Sequence, residues 1–338
     1  MDALKGLYDN LPLEKLRGCN VFIAGATGLI GSALVDLLMM LAPALDFCVY
    51  ASGRNEARAR RRFAEYMANP HFRFLKYNVE DALECGVDFQ YIIHAASNAS
   101  PNFFANAPVE VIMSNILGTR NLLDYGRRHG MRRFLYVSSG EVYGDGDVDK
   151  WTESDSGYVD SMSQRSCYPA SKRAAETLCV AFAHEYATEA VVVRPCHTFG
   201  PHFTESDSRA YAQFVRKARR HEDIVLKSAG EQYRSWLYVK DCASAILTVL
   251  LKGENCEAYN IADENSCMTI RELAESIARI GGVKVVFDLP SDDERRGFSV
   301  IKKATFSTQK LRSLGWQPRY SLQEALQETV DGGKELIS

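Results

Sequence analysis

The hydrophobic positions of this chain form short apolar runs that alternate with longer segments of helical periodicity. Each run has the length and β-branched content of a buried strand. The predicted strands lie at 19–24, 46–51, 72–77, 91–97, 134–137 and 190–195. Helical patterns follow several of them, most clearly at 33–41, 108–129 and 168–186. Because strands that alternate with helices pair in parallel, we predict an α/β Rossmann-type fold with a doubly wound parallel sheet.

Beyond residue 196 the elements become shorter and lose this rhythm, which predicts a smaller C-terminal α/β lobe. We expect residues 1–18 to be an N-terminal extension with amphipathic helical character. The nucleotide-binding lobe is predicted to comprise residues 19–196 and about 233–262. The second lobe is predicted to comprise about 197–232 and 263–338. The two lobes are therefore expected to interleave along the chain.

Composition and charge narrow the classes of protein that the sequence allows. The 40 Lys and Arg residues nearly balance the 43 Asp and Glu residues, for a net charge of −3. This balance gives no electrostatic support for a nucleic-acid partner. No apolar run is long enough to predict a transmembrane helix or a signal peptide. The nine cysteines show neither a Cys-x-x-Cys pair nor metal-ligand spacing, so we expect free thiols, no metal and a cytoplasmic location.

Three glycines, Gly25, Gly28 and Gly31, stand between the first strand and its helix. Glycine permits a tight turn and a close approach of the backbone to a pyrophosphate, whose charge the helix N-terminus favours. The spacing is G-x-x-G-x-x-G rather than the commoner G-x-G-x-x-G. Its position between strand and helix nevertheless predicts a dinucleotide site.

The ends of the next strands refine this cofactor prediction. An acid that binds the ribose usually stands near the end of the second strand, and Arg54 occupies that region instead. Arg54 would suit a 2′-phosphate, which favours NADP over NAD; an arginine in a solvated loop is the alternative. Small residues end the fourth strand, as expected beneath a cofactor. The predicted cofactor contacts are Gly25, Thr27, Gly28, Leu29, Ile30, Gly31, Arg54, Asn78, Val79, Ala95, Ala96, Ser97, Tyr168, Lys172 and Pro195.

The strand at 134–137 ends in polar residues, where open α/β sheets bind their ligands. Ser139 and Glu141 lie there, and Tyr168 and Lys172 follow on one face of a predicted helix at i, i+4 spacing. A neighbouring ammonium lowers the pKa of a phenol and so suits it to proton transfer. Ser139, Tyr168 and Lys172 are therefore the primary candidates for catalysis.

Several ordered motifs together resemble the extended short-chain dehydrogenase/reductases, and among them the nucleotide-sugar epimerase/dehydratase group. They are Gly25–Gly31, Ser138-Ser139, Tyr168-x-x-x-Lys172, Arg194-Pro195 with Gly200-Pro201, and Tyr238-Val-x-Asp241. The resemblance implies that the first lobe binds NAD(P) and the second a nucleoside diphosphate sugar. It also implies that phenolate Tyr168 takes a proton from the C4 hydroxyl, with Ser139 bonded to the same oxygen. The substrate residues it implies are Ser100, Ser139, Gly140, Glu141, His197 and Arg234.

The subclass depends mainly on Glu141, which we count among the catalytic candidates. Gly140 replaces the aspartate that dehydratases of this family carry, which counts against water elimination. UDP-glucuronate decarboxylases carry Ser-Glu or a similar pair before Val-Tyr-Gly, where this chain has Gly140-Glu141, and a segment like Ala99-Ser100-Pro101, so the chain most resembles them. His197, where the family generally has asparagine, departs from the pattern.

Other interpretations of the sequence stay open. The runner-up is a nucleotide-sugar 4-ketoreductase or 4-epimerase that uses NADP(H). A distant alternative is a catalytically silent NADP-binding regulator. The family resemblance also implies a homodimer formed through the helices at 109–129 and 168–186.

Overall fold

The computed structural model describes residues 10–288 and 302–332. Within these residues the strands are β1 (Asn20–Ala24), β2 (Cys48–Gly53), β3 (Phe72–Lys76), β4 (Tyr91–His94), β5 (Arg133–Val137), β6 (Ala190–Pro195), β7 (His197–Phe199), β8 (Ile224–Leu226), β9 (Tyr233–Tyr238), β10 (Ala258–Ile261), β11 (Cys267–Thr269), β12 (Val285–Phe287) and β13 (Lys303–Ala304). The helices are α1 (Leu29–Leu45), α2 (Glu56–Arg62), α3 (Pro101–Asn106), α4 (Pro108–Arg128), α5 (Cys167–Tyr186), α6 (Ala210–Arg219), α7 (Val239–Lys252), α8 (Ile270–Gly281), α9 (Gln309–Ser313) and α10 (Leu322–Asp331).

Seven parallel strands form the main sheet in the order β3-β2-β1-β4-β5-β6-β10. Alternate residues of each strand face opposite layers. In β1, Val21 and Ile23 pack with α1 and α7, whereas Phe22 and Ala24 pack with α4 and α5. Apolar residues on both faces are what a sheet covered by helices on each side requires. The predicted doubly wound Rossmann-type fold is confirmed.

Apart from the main sheet there is a smaller sheet in which β9 pairs with β7, β11 and β13. A separate parallel pair, β8 and β12, lies beside helices α6 and α8. Residues 233–238, which the domain prediction placed with the first lobe, form β9 of this smaller sheet, whereas β10 joins the main sheet. The chain thus crosses between the sheets after β6, β9 and β10.

Two local features differ from the sequence-based expectation. Asp46, predicted to begin the second strand, instead ends α1 in a left-handed conformation at φ 51°. The predicted N-terminal helix falls largely on residues outside the described range, and Leu13–Leu16 form a single 3-10 turn. Neither difference reaches the carboxyl edge of the main sheet, where the candidate site lies.

Candidate active site at the carboxyl edge of the sheet

The glycine loop after β1 lies against the end of β4. A Cβ atom added to Gly25 would stand 2.5 Å from the Ala96 Cα, and Gly25 adopts φ +77°. A Cβ atom on Gly31 would stand 2.3 Å from the Gly25 carbonyl oxygen. These two glycines therefore let the loop turn and let α1 start directly beneath it.

A cleft of about 320 Å³ opens above this loop. Most of the predicted cofactor contacts line this cleft: Gly25, residues 27–31, Arg54, Asn78, Val79 and residues 95–97. The substrate candidate Ser100 also lines it. Pro195, the remaining predicted cofactor contact outside the catalytic group, lies in β6 and does not line the cleft. Residues Thr204, Ser206, Asp207 and Arg209 of the segment between β7 and α6 form another wall. No sequence motif marks the residues of that wall.

The start of α1 suits the phosphates of a dinucleotide. Its first turn is Leu29-Ile30-Gly31-Ser32, which carries no acid, and among the described residues no side chain caps it. Unpaired N–H groups and the helix dipole favour an anion at such a position. The residues present therefore fit a dinucleotide cofactor.

Two arginines stand where β2 ends. Arg54 lines the cleft and donates a hydrogen bond to Asn98 Oδ1 at 3.4 Å. Arg58, in the first turn of α2, also lines the cleft. Burial and the neighbouring Arg61 lower the pKa of Arg58 from its usual value. This corner of the cleft is therefore cationic.

The catalytic candidates Ser139, Glu141 and Tyr168 come together beyond the end of β5. The Ser139 hydroxyl accepts a hydrogen bond from the Glu141 backbone N–H at 3.2 Å and begins a 3-10 turn, Gly140–Tyr143. Tyr168 is buried near the start of α5. Burial raises the pKa of Tyr168, the Glu141 carboxylate raises it further, and a hydrogen bond with Ser139 lowers it. The Glu141 carboxylate and the Ser139 hydroxyl thus shift the pKa of the Tyr168 phenol in opposite directions.

Lys172 lies one helical turn from Tyr168, yet its effect differs from the expectation. Its ammonium donates a hydrogen bond to the Val137 carbonyl at 2.8 Å and lies 5.7 Å from the centre of the Tyr168 ring. Burial lowers the pKa of Lys172 to about 7, with the Glu176 carboxylate opposing. The expected lowering of the Tyr168 pKa by Lys172 is overridden, because desolvation disfavours the charged form of both groups.

Phe104 and Arg165, neither of which was predicted as a site residue, form a stack over the Tyr168 ring. The Phe104 ring stacks on the Tyr168 ring with centroids 4.8 Å apart. Arg165 lies over Phe104 at 4.5 Å and forms an ion pair with Glu141 at 2.7 Å. Both residues help to define the environment of the phenol and of the carboxylate. Sequence motifs gave no signal for them, since α3 brings Phe104 to the site only in the folded chain.

Strands β7 and β9 and the segment before α6 add cationic and neutral nitrogen groups, and the charges of Arg234 and Glu141 and of Arg209 and Tyr168 influence each other. Burial lowers the pKa of Arg234 to about 10, and the charge of Glu141 opposes this. Burial, Arg234 and Arg209 lower the pKa of His197 to about 3, so this imidazole is neutral at physiological pH. Arg209 is held by Asp207 through a contact of 2.6 Å, and its charge also reaches Tyr168. This arrangement suits an anionic ligand.

The described residues show neither a metal centre nor a membrane-spanning element. Among residues 10–288 and 302–332, no group of three His, Cys, Asp or Glu side chains is placed to hold a metal ion. Within the same ranges, the helices are too short or too polar to cross a bilayer. All nine cysteines lie in these ranges as free thiols.

A parallel sheet with a glycine loop after its first strand and a Ser–Tyr–Lys group beyond its fifth defines a dinucleotide-binding α/β enzyme. The model of the NAD dependent epimerase/dehydratase family matches residues 21–262. The chain belongs to that family, as the sequence motifs predicted.

Two named relatives match nearly the whole chain. UDP-glucuronic acid decarboxylase 5 of Arabidopsis thaliana is 31% identical over 331 residues, which is 93% of this chain and 90% of that protein. UDP-glucuronic acid decarboxylase 1 of Xenopus tropicalis is 31% identical and is matched over 92% of this chain and 71% of its own length.

Two solved structures share the fold over a similar extent. A dTDP-glucose 4,6-dehydratase of Streptomyces venezuelae with NAD bound has a TM-score of 0.80 and 25% identity, over 94% of this chain and 97% of that one. The UDP-glucose 4-epimerase of Thermotoga maritima has a TM-score of 0.79 and 24% identity, over 93% and 98%. The prediction of an NAD(P)-dependent enzyme of nucleotide-sugar modification is confirmed at the level of the family.

Proposed function

We propose that this protein oxidises C4 of a nucleoside diphosphate sugar with the help of a nicotinamide cofactor. The observation that carries the proposal is the grouping of the buried Tyr168 with Lys172, whose ammonium lies 5.7 Å from the centre of the Tyr168 ring, beyond the strand end that carries Ser139 and Glu141. Bound oxidised nicotinamide would supply the hydride acceptor for this chemistry. Tyr168 would remove the hydroxyl proton at C4, Ser139 would hold the same oxygen, and Lys172 would hold the cofactor ribose.

We propose that the cofactor site prefers NADP to NAD. Arg54 and Arg58 both line the cleft at the end of β2, where an acid would otherwise bind the ribose hydroxyls. Two guanidinium groups favour an additional phosphate. Asn78 and Val79 at the end of β3 would flank the adenine, and Ala95, Ala96 and Ser97 would lie beneath the cofactor.

The substrate would lie between the catalytic turn and the second lobe. Arg234 and Arg209 would meet the diphosphate or a sugar carboxylate, because a guanidinium binds either group through paired hydrogen bonds. Neutral His197 and Ser100 would add hydrogen bonds. The named activities of the relatives, which act on UDP-sugars or dTDP-sugars, support this class of substrate.

The leading specific reaction is decarboxylation of UDP-glucuronate. Oxidation at C4 turns the C6 carboxylate of this sugar into a β-keto acid, which loses carbon dioxide readily. Glu141, which the resemblance associates with decarboxylases, lies in the turn that Ser139 begins. The alternative is a 4-ketoreductase or 4-epimerase, which the cationic corner at Arg54 favours. A silent regulator has less support, since Ser139, Tyr168 and Lys172 are all present and grouped together.

We further propose a cytoplasmic homodimer. Val109 and Met113 are exposed on α4, which packs against α5. Apolar residues on such a surface suit a four-helix contact with a second copy. Light scattering of Met113→Glu should report a monomer if this contact exists, and an unchanged dimer would refute it. Free thiols at all nine cysteines fit a reducing compartment.

Mass spectrometry of a nucleotide-sugar panel, incubated with NAD or NADPH, tests the proposed reaction. Loss of carbon dioxide from UDP-glucuronate is the expected result. If that sugar is untouched while a 4-keto sugar gains two hydrogens from NADPH, the protein is a reductase. Failure of every sugar to react with either cofactor would support the silent regulator.

A further inference from the structure

Gly140, in the catalytic turn, has no room for a side chain. A Cβ atom at this position would lie 2.4 Å from Cζ and 2.7 Å from Cε1 of Phe306. These separations are far below the contact distance of about 3.5–4 Å between carbon atoms. Gly140 is not among the glycines with positive φ, so the requirement comes from the neighbouring ring rather than from the backbone.

The Phe306 ring is held firmly in this place. Trp151 donates its backbone N–H to the Thr305 carbonyl at 2.9 Å, and Ser307 donates its own to the Trp151 carbonyl at 2.9 Å. The ring is buried and lies 5.8 Å from the centre of the Tyr143 ring, which itself stacks on Trp151. The segment that carries Phe306 follows β13, so the smaller sheet and the catalytic turn are joined here.

We propose that Phe306 is a positioning residue that closes position 140 to side chains and fixes where Glu141 lies. Glu141 is the only carboxylate of the turn Gly140–Tyr143. A carboxyl at 140, which could protonate a leaving oxygen at C6, is excluded sterically. This inference rests on the proposed C4 oxidation. It specifies which side chains of the turn can take part in the reaction step that follows that oxidation.

A set of single and double variants tests this contact. Gly140→Ala and Gly140→Ser should each lower the Tm by several degrees, because both add a Cβ atom against the ring. Phe306→Ala opens space and should cancel much of that loss in the double variants, so the Tm changes should not be additive. Phe182→Ala, which removes a buried ring from α5, is the control and should add to Gly140→Ser without cancellation.

Product analysis provides a readout that a purely structural role would not move. In Phe306→Ala, C4 oxidation should persist while the step that uses Glu141 slows by about 100-fold, as a displaced catalytic group predicts. The 4-keto sugar should therefore accumulate, and Phe306→Leu, which keeps an apolar side chain there, should partly restore the product.

Three results would each overturn the inference. They are additive Tm changes, a Gly140→Ser variant as stable as the parent, and an unchanged product ratio in Phe306→Ala. If the parent protein oxidises no nucleotide sugar, the proposed function fails instead. The Tm comparison needs no substrate and would still decide whether Phe306 excludes a side chain at position 140.

Discussion

Replacing Arg54 by alanine should weaken binding of NADPH much more than binding of NADH. Arg54 lines the cleft at the end of β2, and its recorded side-chain partner is the neutral amide of Asn98. A hydrogen bond to a charged group contributes about 1.5–3 kcal/mol. Because Arg54 is exposed, solvent screening places its contribution near the lower value. That value corresponds to about a tenfold loss of NADPH affinity.

Titration calorimetry with each cofactor, at low and at high ionic strength, measures this change. The affinity for NADPH should fall with salt in the parent and fall less steeply in Arg54→Ala. Arg58→Ala should act in the same direction, and the double variant should lose more than either. Arg60→Ala is the matched control, since Arg60 lies on the same helix in an exposed ion pair with Glu56 at 2.5 Å.

Equal losses for NADPH and NADH in Arg54→Ala would refute the assignment of a 2′-phosphate to this corner. The same conclusion would follow if Arg60→Ala reproduced the effect, because the loss would then reflect only the net charge of the surface. A parent protein that binds NADH more tightly than NADPH would show that Arg54 and Arg58 do not bind a 2′-phosphate.

Three other substitutions and one pH profile test the remaining parts of the site. Tyr168→Phe should abolish hydride transfer while cofactor affinity, measured by calorimetry, stays close to that of the parent; substantial turnover would remove Tyr168 from its role. Because burial raises the pKa of Tyr168, the rate of C4 oxidation should increase from neutral to alkaline pH, and a flat profile would contradict this. Glu141→Gln should spare C4 oxidation and impair the later step at C5 or C6, whereas unchanged product formation would make Glu141 a bystander. Gly31→Ala should lose most cofactor affinity, since its Cβ atom would stand 2.3 Å from the Gly25 carbonyl oxygen; normal binding would show that the loop can shift.

Local patterns were sufficient where the function depends on neighbours in sequence. The glycine loop, the polar end of β5 and the i, i+4 pair of Tyr168 and Lys172 each follow from a short stretch of chain. The parallel sheet follows in the same way, because each strand is a continuous apolar run. These features could be predicted, and the structure confirms the fold that they imply.

Residues that reach the site from distant elements could not be predicted in this way. Arg209 enters from the segment before α6, Phe104 from α3 and Phe306 from the strand region near the C-terminus, and no linear motif connects them. The pKa values of Tyr168 and Lys172 also depend on how deeply the fold buries them. Helical spacing showed that the two groups are adjacent, but it did not show that desolvation exceeds their mutual charge effect.

The central claim, hydride removal from C4 of a nucleotide sugar, is tested most directly with a substrate deuterated at C4. We would mix UDP-glucuronate carrying deuterium at C4 with an excess of protein and oxidised cofactor, quench the mixture within the first turnover, before the hydride can return to the sugar, and analyse the nicotinamide by mass spectrometry. The account predicts deuterium on the cofactor with the parent protein and none with Tyr168→Phe. Product that forms while its deuterium never reaches the cofactor would contradict the account.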